Sequence, residues 1–224
     1  MMPLALAAPP AGIAERPAEL LLFLAALALL PFCLVTLTSF LKMVVVLSVA
    51  RAALGASQIP PSSAVAGLAL LLTLVVMSPV AEQSWRLARA VPPGGVDRTL
   101  EAAAAAGEPL RAFLGRFARA DDRQMFLDLA RRAGAAGGGE AGASDFRVLA
   151  PAFVVSELRR AFTMGFLLFL PFLVVDLVAA NVLLALGLTQ LSPTSVALPF
   201  KLLLFVAIDG WKLVARGLVL GYLT

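Results

Sequence analysis

Long apolar segments interrupted by prolines constrain this chain more than any other feature. Leu20–Leu37 runs for eighteen residues without a charge. As a helix it spans about 27 Å at ~1.5 Å per residue, close to the ~30 Å hydrocarbon core of a bilayer. Pro31 lies inside it and predicts a kink or break there. The apolar run continues to Ala50, with Lys42 inside it and Arg51 just after. Gly55 and Pro60-Pro61 supply a turn. Ala64–Val80 follows, uncharged, and ends on Ser78-Pro79 with Val80. These two segments and their turn read as a helical hairpin. A second hairpin is written further on. Its first arm is Ala161–Leu188, with Pro171, Asp176 and Asn181 inside. Its loop is Thr189-Gln190-Leu191-Ser192-Pro193, and its second arm is Val196–Leu220, with Lys201, Asp209, Lys212 and Arg216.

Between the hairpins the character changes. The chain is 61% hydrophobic and 14% charged, against roughly 45–50% and about 25% for soluble domains. That balance argues against an ordinary water-soluble monomer. Nineteen of its thirty-two charged residues fall within residues 81–150, and there the signs are mixed. A net charge of +4 therefore does not describe a phosphate-binding surface, which needs clustered basic side chains, and no nucleic-acid partner is expected. Pro92-Pro93-Gly94-Gly95 breaks this insert. Leu110, Phe113, Leu114 and Phe117 recur at i, i+3, i+4 and i+7, and Met125, Phe126 and Leu129 continue the pattern. Two or three short helices are expected, with a Gly/Ala-rich flexible linker at Gly134–Ser144. Phe113, Phe117 and Phe126 suit the insert's core better than a partner interface. The sequence reads as all-α: an N-terminal segment (1–19), a first apolar hairpin (20–80), a soluble insert (81–150) and a second apolar hairpin (151–224). Met1–Pro17 lacks a basic n-region and makes a poor signal peptide.

The chemistry of enzymes has little to stand on here. Histidine is absent and Cys33 is the single cysteine. This removes Ser-His-Asp and Cys-His catalysis, histidine-bound metals, cysteine zinc sites and an internal disulfide. The sequence contains no GxSxG, no GxxxxGK[ST] and no GxGxxG opening a helix. The expectation is a protein without catalysis, cofactor or metal.

Asp176 and Lys201 are the residues that need explaining. A charge in hydrocarbon costs about 2.5 kcal/mol or more unless protein, water or an opposite charge receives it. They sit on opposite arms of the second hairpin, twelve residues before Gly187-Leu188 and eight after Pro193. Pairing within the chain and pairing between neighbouring copies both remain open. Glu157 and Asp209 are further candidates. A structural ion pair is the plainest reading, and a proton relay has only one carboxylate to support it. Gly217 and Gly221 form a GxxxG suited to close helix packing. Lys42 and Arg51 put the first connection on the cytoplasmic side by the positive-inside rule. Arg159-Arg160 then falls on the wrong side, as if these segments did not cross a bilayer in the usual way.

The motifs resemble a known family. Ser39-Phe40-Leu41-Lys42, Ala53-Leu54-Gly55, Ile59-Pro60-Pro61, Gly67-Leu68-Ala69-Leu70 and Met77-Ser78-Pro79-Val80 are similar to the first hairpin of the SctR/FliP export-apparatus proteins. The second half is closer still. Pro151-Ala152-Phe153-Val154-Val155-Ser156-Glu157-Leu158, Leu170-Pro171-Phe172, Asp176-Leu177, Leu184-Ala185-Leu186-Gly187, Leu198-Pro199-Phe200-Lys201 and Asp209-Gly210-Trp211 follow in the family's order. The match covers residues 20–80 and 148–222, and reaches the insert through Pro109-Leu110-Arg111-Ala112-Phe113. Phe40-Leu41-Lys42, Gln58-Ile59-Pro60 and Gly217-Leu218-Val219-Leu220 look more like the virulence-type SctR branch than flagellar FliP.

The resemblance implies a core subunit of a type III secretion system in the bacterial inner membrane, multi-pass, with its insert in the periplasm. It implies a homopentamer that joins SctS-like and SctT-like subunits in a conical export gate, through which unfolded polypeptides pass. The hairpins would pack side by side, largely raised above the bilayer plane. It places the second hairpin's tip, here Leu188-Thr189-Gln190-Leu191, at the pore constriction. The family often carries a methionine run there; this chain keeps a hydrophobic gasket only through Leu188 and Leu191. Where relatives often carry Asn after the arginine matching Arg51, this chain has Ala52. By the same resemblance Glu157, Asp176 and Lys201 hold adjacent subunits together. The alternatives are a flagellar-type gate subunit and a stand-alone small-molecule or ion transporter. A membrane-anchored binding module built on residues 81–150 is disfavoured, because the strongest motifs lie outside it.

Overall fold

A computed structural model describes residues 17–55, 60–92, 94–134 and 142–223. The signal-peptide expectation for Met1–Pro17, the Gln58-Ile59 part of the family motif and most of the Gly134–Ser144 linker lie outside them. Among the described residues the chain is helical and has no strand. Eight helices follow in order: α1 (Pro17–Thr36), α2 (Phe40–Ala53), α3 (Ser62–Ala90), α4 (Val96–Phe117), α5 (Ala120–Gly134), α6 (Phe146–Ala185), α7 (Pro193–Ala207) and α8 (Gly210–Leu223). The all-α expectation holds.

Prolines act differently at each place. α1 runs through Pro31, and the first apolar segment breaks instead at Leu37–Ser39, bending by 56° into α2. There the Thr38 hydroxyl bonds back to the Leu34 carbonyl and also accepts from the Phe40 amide, offering the backbone an alternative to the helical ladder. α3 does not stop at Ser78-Pro79 but continues to Ala90. Pro79 cannot donate to the Val75 carbonyl, and the Ser78 hydroxyl does so in its place at 3.0 Å. That local substitution keeps the helix going. The fourth apolar segment is split. Asp209 takes a left-handed backbone (φ 54°) between α7 and α8, and the Asp-Gly pair at 209–210 was the turn signal that the hydrophobic pattern concealed.

The helices form a layer in which α3 packs on α2, α2 on α6 and α6 on α7. α4 returns along α3, and α5 lies on α6. α8 closes against α3 and follows α7. One core joins Met43, Val46 and Leu47 of α2 to Val65, Ala69 and Val76 of α3, Phe113, Leu114 and Phe117 of α4, Ala152, Phe153 and Ala161 of α6, and Val214, Leu218 and Tyr222 of α8. A smaller core, between the end of α2 and the second hairpin, contains Ala53, Leu54, Phe172 and Phe205. By length and composition α3 and α6 could each cross a membrane, and the bent α1–α2 pair would make a third span. α7, at fifteen residues, is too short.

Close packing of α2 on α6 depends on Gly165. A Cβ at that position would lie 2.9 Å from Val49 Cγ1 and 3.1 Å from Val49 Cβ. Gly67 of α3 has open space where its Cβ would be. Gly165→Leu should therefore destabilise the chain by about 1–3 kcal/mol through overpacking. Gly67→Ala should be neutral or stabilise it by up to about 1 kcal/mol, by restoring helix propensity. Thermal unfolding of the detergent-solubilised variants compares the two; equal losses would contradict the packing argument.

Candidate functional site

Glu157 is the centre of the structure's polar interior. It lies on α6 and is fully buried. Its Oε1 accepts from Arg160 Nη1 at 2.7 Å, and Lys42 Nζ of α2 stands 3.2 Å from its Oε2. The Tyr222 hydroxyl of α8 also donates to Oε2. Burial, reinforced by the Glu157 carboxylate, pushes the Tyr222 phenol well above its ordinary range, so it stays a donor. Lys42 Nζ also sits 3.4 Å from the centroid of the Tyr222 ring, a cation–π contact. Arg160 reaches the far side of the cluster, donating to the Phe117 carbonyl at the end of α4 at 2.8 Å.

A second polar group continues one residue away. Ser156 donates to Asp122 Oδ2 of α5 at 2.7 Å and accepts from the Arg119 amide at 2.9 Å. Arg159 stands 3.6 Å from Asp122 Oδ1. Little more than one turn of α6, residues 156–160, thus holds α2, α4, α5 and α8 by charge and hydrogen bond. Phe113 and Phe117 sit beside this network, in ring contact with Tyr222, and Phe113 also meets Phe153. They belong to the core shared with the first hairpin, and the half-buried Phe126 packs against the same core.

Asp176 and Lys201 meet within one chain, with Lys201 Nζ 2.6 Å from Asp176 Oδ2. Their arms look unequal in sequence because the turn appears to begin at Gly187-Leu188. In fact α6 ends at Ala185 and α7 begins at Pro193, so the two residues stand at nearly the same height. Lys201 is buried, while Asp176 is partly exposed. Asp176 Oδ1 is buried without a hydrogen-bond partner. Asp209 instead pairs at the surface with Lys212.

The hairpin tip has a defined cap. Gly187 is left-handed (φ 71°), the Leu188 amide donates to the Leu183 carbonyl at 2.9 Å, and the Gly187 amide to Leu184 at 3.0 Å. This is the Schellman pattern of a glycine-stopped helix. It leaves Leu186, Leu188 and Leu191 exposed, together with Thr189 and Gln190. Among the described residues no group of three His, Cys, Asp or Glu side chains is placed to hold a metal.

Comparison with known proteins decides the family. The model of the FliP family matches residues 23–218. The chain belongs to that family. It is 44% identical over 214 residues to the probable translocation protein y4yL of Sinorhizobium fredii, covering 91% of this chain and 93% of that protein. It is 42% identical over 210 residues to the hypersensitivity response secretion protein HrcR of Ralstonia nicotianae, covering 92% and 97%. The flagellar biosynthetic protein FliP of Caulobacter vibrioides is 42% identical over 216 residues, covering 93% and 77%.

Sequence reasoning named Glu157 but missed its partners. In the sequence Lys42 stands out as a marker of topology and as part of the Ser39–Lys42 motif, although the cost that singles out Asp176 and Lys201 applies equally to it as the one charge between Leu20 and Ala50. Arg160 stands three residues after Glu157, a helical pairing distance. Nothing local announced Tyr222 or the Ser156–Asp122 bond, which join residues 65 and 34 positions apart.

Lys42→Met should cost about 3–5 kcal/mol, because it removes one partner and leaves a buried carboxylate under-compensated. Lys42→Met with Glu157→Gln should recover part of that loss. Unfolding measured across the double-mutant cycle reads the coupling; strict additivity would show that the two side chains do not act as a pair.

Proposed function

We propose that this chain is a structural, pore-forming subunit of the type III secretion export gate, of the virulence type, and that it carries no catalysis of its own. The match to the FliP family from residue 23 to residue 218 carries this reading. The names of y4yL and HrcR, proteins of translocation and secretion, favour the virulence branch. About five copies assemble around an axis with SctS-like and SctT-like partners in the bacterial inner membrane. The insert of residues 81–150 faces the periplasm. Unfolded substrate polypeptides pass along the axis, driven by energy from elsewhere in the machine.

Large apolar faces on α3 and α6 need a cover. Phe162, Phe166, Leu170, Leu173 and Leu177 lie exposed along α6, and Leu71, Leu74 and Val75 along α3. An exposed apolar face of this extent marks a contact surface. Lipid alone does not suit it. α4 packs on α3 and shares a core with Val65, Ala69 and Val76, while its other face carries the Glu108–Arg111 ion pair and Arg116. A bilayer around α3 would immerse those charges beside the apolar stretch, at a cost of several kcal/mol. Sister chains and partner subunits cover the apolar faces without that penalty, consistent with hairpins raised above the bilayer plane.

In this assembly the second hairpins converge, and Leu188-Thr189-Gln190-Leu191 forms the constriction. Leu188 and Leu191 close it at rest as an apolar seal that an entering chain displaces. The Asp176–Lys201 pair stiffens each hairpin.

Native mass spectrometry of the detergent-extracted complex should give about five copies with partner subunits bound. A lone monomer or dimer would favour a stand-alone transporter. Replacing Leu188 and Leu191 with glycine should let small ions leak through reconstituted complexes without preventing assembly. Unchanged conductance in the assembled variant would remove the seal.

A further inference from the structure

The second hairpin leaves the body of the molecule through two strands of chain, and each carries a weak point near the Phe172–Phe205 contact. α6 runs unbroken from Phe146 to Ala185, but Pro171 has no amide proton for the Leu167 carbonyl, so one rung of its ladder is missing there. On the returning strand the weak point is the junction of α7 and α8, where Asp209 is left-handed (φ 54°). A non-glycine residue in that region stores backbone strain of order 1 kcal/mol or more. The two weak points are physically joined. Phe172, next to Pro171, has its ring 6.2 Å from that of Phe205, and Phe205 meets Trp211 edge-on at 5.1 Å. The Phe205 ring also fills the place where a side chain on Gly210 would begin: a Cβ there would lie 2.3 Å from it.

The parts on either side of this level are held differently. Below it, Glu157 and its partners tie α2, α4, α6 and α8 together. Above it, residues 172–207 form one piece, pinned internally by Lys201 and Asp176 at 2.6 Å. The contact of this piece with the rest of the chain is narrow. Among the described residues it includes Phe205 against Gly210 and Trp211, the Ala53–Leu54 end of α2, and Gly55, whose Cβ position lies 3.7 Å from Thr194 and 3.8 Å from Leu198.

We infer that Pro171 and the Asp209–Gly210 junction are paired hinges, and that residues 172–207 swing about them as a rigid lever carrying the tip. This rests on the reading of the tip as the constriction and adds how the constriction would move. From Phe172 to Leu188 is sixteen residues, a lever of about 24 Å at ~1.5 Å per residue. A tilt of about ten degrees shifts its end by about 4 Å, enough to admit a side chain. The Phe172–Phe205 contact is the pivot, and the bare Gly210 is what lets the pivot seat.

Spin labels at Thr189→Cys on the tip and Gln124→Cys on α5, in a Cys33→Ser background, test it. The labelled full-length chain is diluted among unlabelled copies, and electron–electron distance distributions are recorded. The hinge expects a spread of several ångströms in the parent, narrowed by about 4 Å when Pro171→Ala restores the helical ladder on α6. Asp209→Gly, at an exposed position, should broaden it. Identical distributions in the parent and in both variants would overturn the inference. If Pro171→Ala fails to assemble, the Asp209→Gly comparison decides alone. Conductance of the Leu188 and Leu191 variants separates the two claims: a distribution that responds while conductance does not would leave the hinge and remove the constriction.

Discussion

One buried carboxylate organises this molecule. Glu157 has no access to water, and an uncompensated charge there would be untenable. Its compensation comes from its own helix through Arg160, from α2 through Lys42 and from α8 through Tyr222. Because these groups come from segments far apart in sequence, satisfying the carboxylate fixes how the segments lie. Apolar contacts alone would not do this as well. Leucine- and valine-rich helices slide past one another at little cost, whereas a buried ion pair is strongly destabilised when one partner is displaced. The network therefore sets the register of α2 and α8 on α6, and the aromatic side chains of α4 fill the space around it.

The insert is tied to the same centre. Arg160 reaches the last carbonyl of α4, and Ser156 links α6 to Asp122 and to the Arg119 amide. The polar middle of the chain is thus attached to the apolar hairpins by hydrogen bonds in their interior. Its apolar face completes their core and its charged face looks outward. This explains the topology puzzle posed by Arg159 and Arg160. Those arginines sit in the seam between the apolar helices and the insert, where carboxylates and a helix terminus receive them, and their sign says little about a membrane side.

Much of the fold was legible in the sequence because hydrophobic periodicity and uncharged length report helices directly. The insert's amphipathic pattern at Leu110, Phe113, Leu114 and Phe117 became α4, and the two hairpins and their order were readable. The boundaries were harder. Pro79 looks like a terminator until the Ser78 hydroxyl is seen bonding the carbonyl that proline abandons. Pro31 looks like the break, but the Thr38 hydroxyl places it six residues later. Both outcomes depend on one side-chain rotamer. The candidate charges were legible because ionised groups in apolar runs are conspicuous, but their partners were not. Pairing distance in space is unrelated to distance along the chain, and the apparent inequality of the Asp176 and Lys201 arms came from misjudging where α6 stops.

That stopping point has its own consequence. With α6 ended by the Gly187 cap and the two arms latched below it by Asp176 and Lys201, the exposed side chains of residues 188–191 bear no responsibility for aligning the hairpin. They resemble an exchangeable nib on a fixed holder. Lineages could rewrite those few letters, trading methionine for leucine or threonine, and so retune the bore while leaving the barrel untouched.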